Sequence, residues 1–560
     1  MALVTITDTT DLTKLNLTGY DNIDINAHSG TFYGDFQGVA PGTVTGGNDS
    51  LKSDVRASAN VTISGDALNA LLGPADVFKG GNDTIVSGAG IVNLIGDADT
   101  SVGKTIGGSD FITRTGSDVN TTVGNESRIT GDFTYVVSGD VTGGNDTLTG
   151  ATAGGGEIIS GDVFNMQGGT LHGGSDLIHG GAGADSIFGD AYLAGTSVDN
   201  PTIYGGNDSI YGGNGGSVLV GDVGFPNPAI IHGGDDLIYG GTGNDTLMGD
   251  QQNNRGGGAP DVRIIGGNDT LYGGAGNDLF VGGGGDDYMN GGTGSDSIGY
   301  NQLTYDANGN PTTGGIVLTL AEGTAEGHAT GSHGNDTLIS IENVLGSLGS
   351  DSITGNGDGN LLNGSYGNDT LRGGAGNDTI IGEDGNDTLH GGTGSDWLDP
   401  SIGSNLVLGG DGNDTIIAMG SEASSHDTLY GGTGNDRIYT GSRGEHTIYA
   451  GMGNDWIFTS GGTSDVYTGT GADVVVMAPA YKVATTSVVD VYDFTLGEDR
   501  VNLRQIGATS ANVDGLVHIK QTSDGAEITA TVGGKDETLI LHGVSAASLH
   551  LHDASEFILL

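Results

Sequence analysis

Gly273-Gly274-Ala275-Gly276-Asn277-Asp278-Leu279-Phe280 is the stretch whose reading decides the fold. Its neighbours repeat it. Asp269, Asp278, Asp287 and Asp296 stand nine residues apart, and so do Asp369, Asp378, Asp387 and Asp396. Each follows glycines and precedes an apolar residue two places on: Leu271, Phe280, Met289 and Ile298, then Leu371, Ile380, Leu389 and Leu398. A period of nine is too short for a helical pair and wrong for a heptad; it fits one short strand plus one tight turn. Glycine supplies cheaply the positive φ that such a turn needs at alternate positions. The pattern therefore predicts an all-β solenoid with the apolar residues in its core.

Composition narrows the class. Glycine accounts for 112 of 560 residues, with no three-residue glycine period, so the chain is not collagen-like. There are 70 acidic against 17 basic residues, a formal charge of −53. Such a chain repels phosphates, so nucleic acid is excluded as a partner. Many of the acids sit at fixed turn positions, which points to cation binding rather than to a merely soluble surface. Cysteine is absent, so no disulfide holds the fold and bound metal is the expected substitute. Met1–Leu17 lacks a basic segment followed by an apolar one, so no secretory signal peptide is expected there. No 18-residue apolar run exists, so no transmembrane helix is expected.

Along the chain, residues 1–40 alternate apolar and polar positions and predict a strand-rich cap. Residues 41–300 carry a longer unit. A GGND-like turn recurs at Gly46–Asp49, Gly80–Asp83, Gly107–Asp110, Gly143–Asp146, Gly173–Asp176, Gly205–Asp208, Gly233–Asp236 and Gly266–Asp269, with starts 27 to 36 residues apart. A second turn ends in Gly–Asp at Asp66, Asp97, Asp132, Asp162, Asp190, Asp222 and Asp250. Each unit reads as two or three short strands and one loop of free length, as a stacked solenoid tolerates. Residues 301–345 break the period and predict a linker or internal cap, with longer strands at Ile316–Leu320 and Thr337–Val344. The nine-residue repeat returns over 346–475. Residues 476–560 predict a β-rich terminal domain through Val488–Phe494, Val513–Ile519 and Thr538–His542.

The chemistry follows from the turns. Their carbonyl oxygens turn inward and each adds one carboxylate, giving part of an oxygen cage that the next turn completes. Hard oxygen donors suit Ca²⁺; Mg²⁺ holds its waters and demands a tighter octahedron. Soft metals lack ligands, since there is no Cys and the 13 His are scattered. The expected metal-ligating positions are Asp176, Asp185, Asp208, Asp236, Asp245, Asp269, Gly274, Gly276, Asp278, Asp287 and Asp296, then Asp369, Gly374, Gly376, Asp378, Asp387, Asp396, Asp414, Asp436 and Asp455. Several Ca²⁺ ions are expected as the only cofactor.

The repeats resemble those of the repeats-in-toxin (RTX) family. The match is specific at 173–190, 233–250, 266–299 and 367–399 and looser at 46–162. It departs at Gly213–Ser217, where Gly216 and Ser217 stand in place of Asn–Asp. The resemblance implies a right-handed parallel β-roll with Ca²⁺ lodged between turns. It also implies one-step (type I) export of the Gram-negative kind through an uncleaved C-terminal signal. Val488–Leu503 and Thr538–Leu560 look like the family's terminal segments.

No catalytic motif accompanies the repeats. No His is followed by Glu, so HExxH metalloprotease chemistry is absent. There is no G-x-S-x-G elbow and no phosphate loop. Repeats beginning by residue 46 leave little chain for a preceding catalytic domain. His172, His179, His232 and His390 read as surface or satisfied core residues, and Trp397 and Trp456 as packed or lying on a face. The expectation is a non-enzymatic, secreted, calcium-folded structural protein at the cell surface. It would self-associate in a surface layer, matrix sheet or filament. An adhesin binding cell-surface polysaccharide is the alternative, and a polysaccharide lyase or epimerase a further one.

Overall fold

A computed structural model describes residues 3–6, 22–25, 30–33, 43–45, 48–53, 60–65, 67–71, 77–87, 91–102, 104–114, 127–152, 155–195, 200–226, 229–251, 263–302, 304–305, 311–420, 425–441, 444–460, 462–477, 487–532 and 535–559. They are almost wholly short β-strands stacked parallel, in two units. The first comprises Met1–Thr313 with Ser332–Ile341, and the second Gly314–Gly331 with Glu342–Leu560.

The first unit begins with wide coils. One of them runs through Leu177–Gly181, Ser186–Phe188, Ala191–Ala194 and Thr202–Tyr204 before the next coil starts at Ser209. A wide coil such as this one thus has four strands and four faces, not the two or three strands the sequence suggests. The extra strands are three to six residues long, too short for alternation to show. The third face is a six-stranded sheet from Ala67–Leu71 to Val223–Pro226. The fourth has eight strands, from Thr43–Thr45 to Arg263–Ile265. Beyond Ile265 both faces drop out. Coils then need only two strands, as in Thr270–Ala275 with Leu279–Val281 and Tyr288–Thr293 with Ser297–Gly299. Leu3–Ile6 pairs in parallel with Asn22–Ile25, which in turn pairs in parallel with Ser50–Ser53, continuing the first face to the N-terminal side.

Register fixes which side chains meet. On the first face Ile210 pairs with Ile238, Ile238 with Leu271 and Leu271 with Met289, all wholly buried. In-register stacking of identical repeats makes continuous aliphatic columns, while flanking Thr and Tyr face outward. The third and fourth faces enclose their own cluster, including Phe133, Val141, Val163, Leu171, Val223 and Ile231.

The second unit is a two-faced roll. Its first face runs from Ser352–Thr354 through Thr370–Ala375, Thr388–Thr393 and Leu406–Asp411 to Thr463–Thr470. Its second face includes Leu361–Asn363, Thr379–Ile381, Trp397–Asp399 and Trp456–Thr459. An 18-residue coil such as 369–386 adds only Leu371 and Ile380 as fully buried large apolar side chains. Within the irregular segment, Ile316–Thr319 pairs antiparallel with Gly327–Gly331 and parallel with Ser352–Thr354. The strands at Gly334–Ile339 and Asn343–Leu345 are short, not the single longer strand expected over 337–344. At the C-terminal end three antiparallel strands, Val517–Gln521, Gly525–Val532 and Lys535–His542, form a meander whose last member joins Ser487–Val491 in parallel. Val513–Leu516, expected to be extended, is one helical turn; Asn512 before it and Gly515 within it favour turning over pairing.

Outward-facing rings also fall into register. His179, Tyr211, Tyr239 and Tyr272 stack at centroid spacings of 4.7, 5.1 and 4.7 Å. In the second unit Tyr430, Tyr449, Tyr467, Tyr492 and His542 stack at 4.8, 4.7, 5.0 and 4.3 Å. His172 and His232 lie on either side of Tyr204, at 4.9 and 4.7 Å.

Candidate metal centre: stacked carboxylate rows

The turn before each first-face strand places one buried aspartate, and the row is continuous through the first unit. The backbone N–H of Asp49 donates to Oδ1 of Asp83 at 2.7 Å, Asp83 to Asp110 at 2.6 Å and Asp110 to Asp146 at 2.6 Å. The row continues from Asp146 to Asp176 and from Asp176 to Asp208, each at 2.7 Å, then to Asp236 (2.7 Å) and Asp269 (2.8 Å). It ends through Asp287 (2.9 Å) at Asp336 (3.0 Å). Each aspartate thus spends one carboxylate oxygen on tying its coil to the one before. The other oxygen is the informative one. Oδ2 of Asp146, Asp176, Asp208, Asp236, Asp269 and Asp287 is buried and receives no hydrogen bond. A buried acceptor left in that state costs about 1–3 kcal/mol, more when charged.

A second row lies in the turn between the first and second faces: Glu157, Asp185, Ser217, Asp245, Asp278 and Asp296, bonded in the same manner. Ser217 keeps its place in the ladder. Its N–H donates to Asp245 Oδ1 at 2.6 Å and its Oγ accepts from the Asp185 N–H at 3.1 Å. It preserves the backbone path but contributes no charge.

A third row exists only in the wide coils, and its metal-ligating potential was missing from the sequence expectations. The Gly–Asp turns between second and third faces aim Asp132, Asp162, Asp190, Asp222 and Asp250 back at the GG turns of the first row. Oδ2 of Asp132 accepts the Gly144 N–H at 2.6 Å, and Oδ2 of Asp162 accepts that of Gly174 at 2.9 Å. Three groups bring their donor oxygens within 4.8 Å of one another: Asp83–Asp97–Asp110, Asp110–Asp132–Asp146 and Asp146–Asp162–Asp176. Burial, then the neighbouring aspartates, holds Asp132, Asp146, Asp162, Asp208 and Asp222 well above the ordinary carboxylate range. Burial pushes Asp190 up to about 6 and Asp250 to about 7.

The second unit repeats the two-row arrangement. Asp378 donates to Asp396 at 2.8 Å, Asp396 to Asp414 at 2.9 Å, Asp414 to Asp436 and Asp436 to Asp455 at 2.8 Å. Asp369 donates to Asp387 in the other row at 2.8 Å. Oδ2 of Asp369, Asp378, Asp387, Asp396, Asp414, Asp436 and Asp455 is buried without a donor. Burial raises Asp369 to about 7 and Asp378, Asp387, Asp414, Asp436 and Asp455 to about 6. The Asp369–Asp387 row then departs from a run of aspartates: it continues through Asn405 and Asp427 to His446, whose Nδ1 lies 3.1 Å from Asp427 Oδ2.

The glycines test whether a cation fits. A Cβ built on Gly373 would lie 2.1 Å from Asp378 Oδ2 and 2.7 Å from the Gly391 carbonyl oxygen. A Cβ on Gly161 would lie 1.8 Å from the Gly189 carbonyl oxygen and 1.9 Å from Asp176 Oδ2. The absent side chain leaves a space walled by carboxylate and carbonyl oxygens, the donor set of a hard divalent cation. Gly274 and Gly276, expected as ligands, have φ of 105° and 139° and turn the backbone. It is Gly273 that stands beside the Asp278 oxygen, at 2.2 Å from its would-be Cβ.

The stacked coils and their carboxylate rows define a repeat protein of the parallel β-roll class. Residues 172–191, 232–255, 265–298, 363–398, 401–421, 424–442 and 444–476 match the RTX calcium-binding nonapeptide repeat. In these stretches the chain carries RTX repeats, a repeat type that binds calcium. No curated protein matches the chain. Among solved structures, the extracellular lipase LipA from Serratia marcescens aligns at 15% identity over 60% of this chain, with a TM-score of 0.11. The chain spans 40% of that lipase's length.

Proposed function

We propose that this is a secreted structural protein whose coils are held by calcium and which self-associates at the cell surface. The observation that carries the reading is the set of buried carboxylate oxygens with no hydrogen-bond donor, recurring in both units from Asp146 to Asp287 and from Asp369 to Asp455. Asp176, Asp208, Asp236, Asp269 and Asp287 would hold ions in one row, Asp185, Asp245, Asp278 and Asp296 in the next. Asp369, Asp378, Asp387, Asp396, Asp414, Asp436 and Asp455 would do so in the second unit. Calcium would supply positive charge between coils that otherwise stack like charge on like charge. Binding free energy then becomes folding free energy, spent where calcium is about millimolar, outside the cell. Circular dichroism tests this directly: strand signal should appear cooperatively on adding Ca²⁺, and an unchanged folded spectrum in excess chelator refutes it.

Self-association draws support from the flat in-register faces with outward ring ladders and from neutralisation of the −53 charge. Electron microscopy with and without Ca²⁺ distinguishes the outcomes, since discrete monomers in calcium count against assembly. The same exposed ladder, Tyr430–Tyr449–Tyr467–Tyr492, favours a second reading as a polysaccharide-binding surface. Glycan-array binding that falls on Tyr449→Ala would favour it.

A further inference from the structure

Arg114 is the only Lys or Arg buried among the described residues, and its side chain is wholly inside. It ends the first-face strand Phe111–Arg114. Pairing sets Thr113 opposite Thr149, Thr149 opposite His179 and His179 opposite Tyr211. One residue on, Arg114 therefore occupies the column of Gly150, Gly180 and Gly212. That column is the oxygen-walled space of the second row. A Cβ on Gly150 would lie 2.3 Å from Glu157 Oε2, and one on Gly180 would lie 2.6 Å from Asp185 Oδ2. The glycine is what leaves room beside each carboxylate, and here an arginine stands in its place.

Its guanidinium pairs through Nη1 with Glu157 Oε1, both side chains being buried. The other Glu157 oxygen accepts the Ala151 N–H at 2.8 Å. The positive charge also reaches Asp185, where it opposes the effect of burial. Glu157 is the only glutamate in a row otherwise built of Asp and Ser. A guanidinium remains charged at any pH the protein meets and offers donors to carboxylates in a fixed fork.

We propose that Arg114 is a built-in cation that takes the place of a metal ion at the N-terminal end of the second carboxylate row. The row thereby begins on a covalently attached positive charge, and its ion sites begin one coil later. This inference rests on the calcium reading of the rows.

The test is the number of Ca²⁺ ions bound per full-length chain, by metal analysis after desalting from saturating calcium. Arg114→Gly, and Arg114→Gly with Glu157→Asp, restore the glycine and aspartate of the other coils. Each should bind one ion more than the parent chain and keep the calcium-loaded dichroism spectrum. Asp245→Asn, in the same row without an arginine, should bind at least one fewer. A folded variant with no added ion overturns the proposal. So does failure of both variants to fold in saturating calcium, because an ion would then be unable to replace the guanidinium. A parent chain that binds no calcium removes the functional reading itself, which is a distinct result.

Discussion

Asp378→Asn separates the two jobs of a row carboxylate, because asparagine keeps one and abolishes the other. Oδ1 of Asp378 accepts the Asn360 N–H at 2.8 Å, and the Asp378 N–H donates to Asp396 Oδ1 at 2.8 Å. An asparagine retains both bonds. The protein already contains the replacement: Asn405 sits in the neighbouring row, accepts the Asp387 N–H at 2.8 Å and turns its amide toward the Pro400 carbonyl at 3.4 Å. At position 378 the new Nδ2 would face the Gly391 carbonyl, which shares the space beside Gly373 with Oδ2. Without calcium, a buried acceptor lacking a donor becomes a donor with an acceptor at hand. Stability should rise by about 1–3 kcal/mol. With calcium present at about a hundred times its dissociation constant, loss of one ion should cost about 2.7 kcal/mol. The sign therefore inverts with calcium. Urea titrations followed by far-ultraviolet dichroism give both values, one in excess Ca²⁺ and one in chelator with trimethylamine oxide to hold the chain compact. No change in either condition would show that Asp378 acts through its ladder bonds alone and refute the reasoning, and so would destabilisation by equal amounts in both.

pH should act oppositely on the two states. The row carboxylates have folded-state values raised to about 6 or 7 at Asp378, Asp436 and Asp369, so the calcium-free fold holds more protons than the unfolded chain. Its stability should fall as pH rises from about 4 to about 7, while calcium affinity, which needs the deprotonated form, rises over the same window; calorimetric calcium titrations at pH 5 and 7.5 check this. Phe280→Ala empties a wholly buried position in the second-face column between Leu247 and Ile298 and should cost about 3–5 kcal/mol in calcium, read by urea midpoint. Gly276→Ala forces a side chain at φ 139° to within 1.5 Å of the Gly243 carbonyl oxygen, so the calcium-loaded chain should melt measurably lower. Hydrogen exchange during a calcium titration should show 147–190 protected at lower calcium than 405–446, since more carboxylates converge on each space in the wide coils.

Much of this was legible in the sequence for a simple reason. A nine-residue repeat writes turn and core position into each period, so the turn at Asp278 and the buried place of Phe280 are readable from spacing alone. The buried columns followed. The third row did not, although its Gly–Asp signature is plain. Asp132 lies 12 residues before the Gly144 it contacts, across two three- to six-residue strands and a bend that no period announces. Distance along the chain hid a contact that only the closed, four-faced coil creates. Arg114 was invisible for a different reason: one basic residue in a degenerate repeat carries no pattern, and its meaning comes from the glycine column it interrupts.

The rows also explain how a chain with so little core per coil holds one register. Sheets of repeated strands are prone to slip, because a shift by a whole coil buries equivalent side chains. In this protein the apolar columns are nearly uniform, so they discriminate poorly between registers. The carboxylate rows are not uniform. Ser217 and Asn405 each interrupt a run of aspartates, His446 follows Asp427 in its row, and Arg114 meets a glutamate rather than an aspartate. Slipping one coil would set Arg114 against the wrong partner and move His446 from beside Asp427. Buried polar groups without partners cost more than the apolar columns lose by slipping. The departures from the repeat are thus the positions that give each coil its address in the stack.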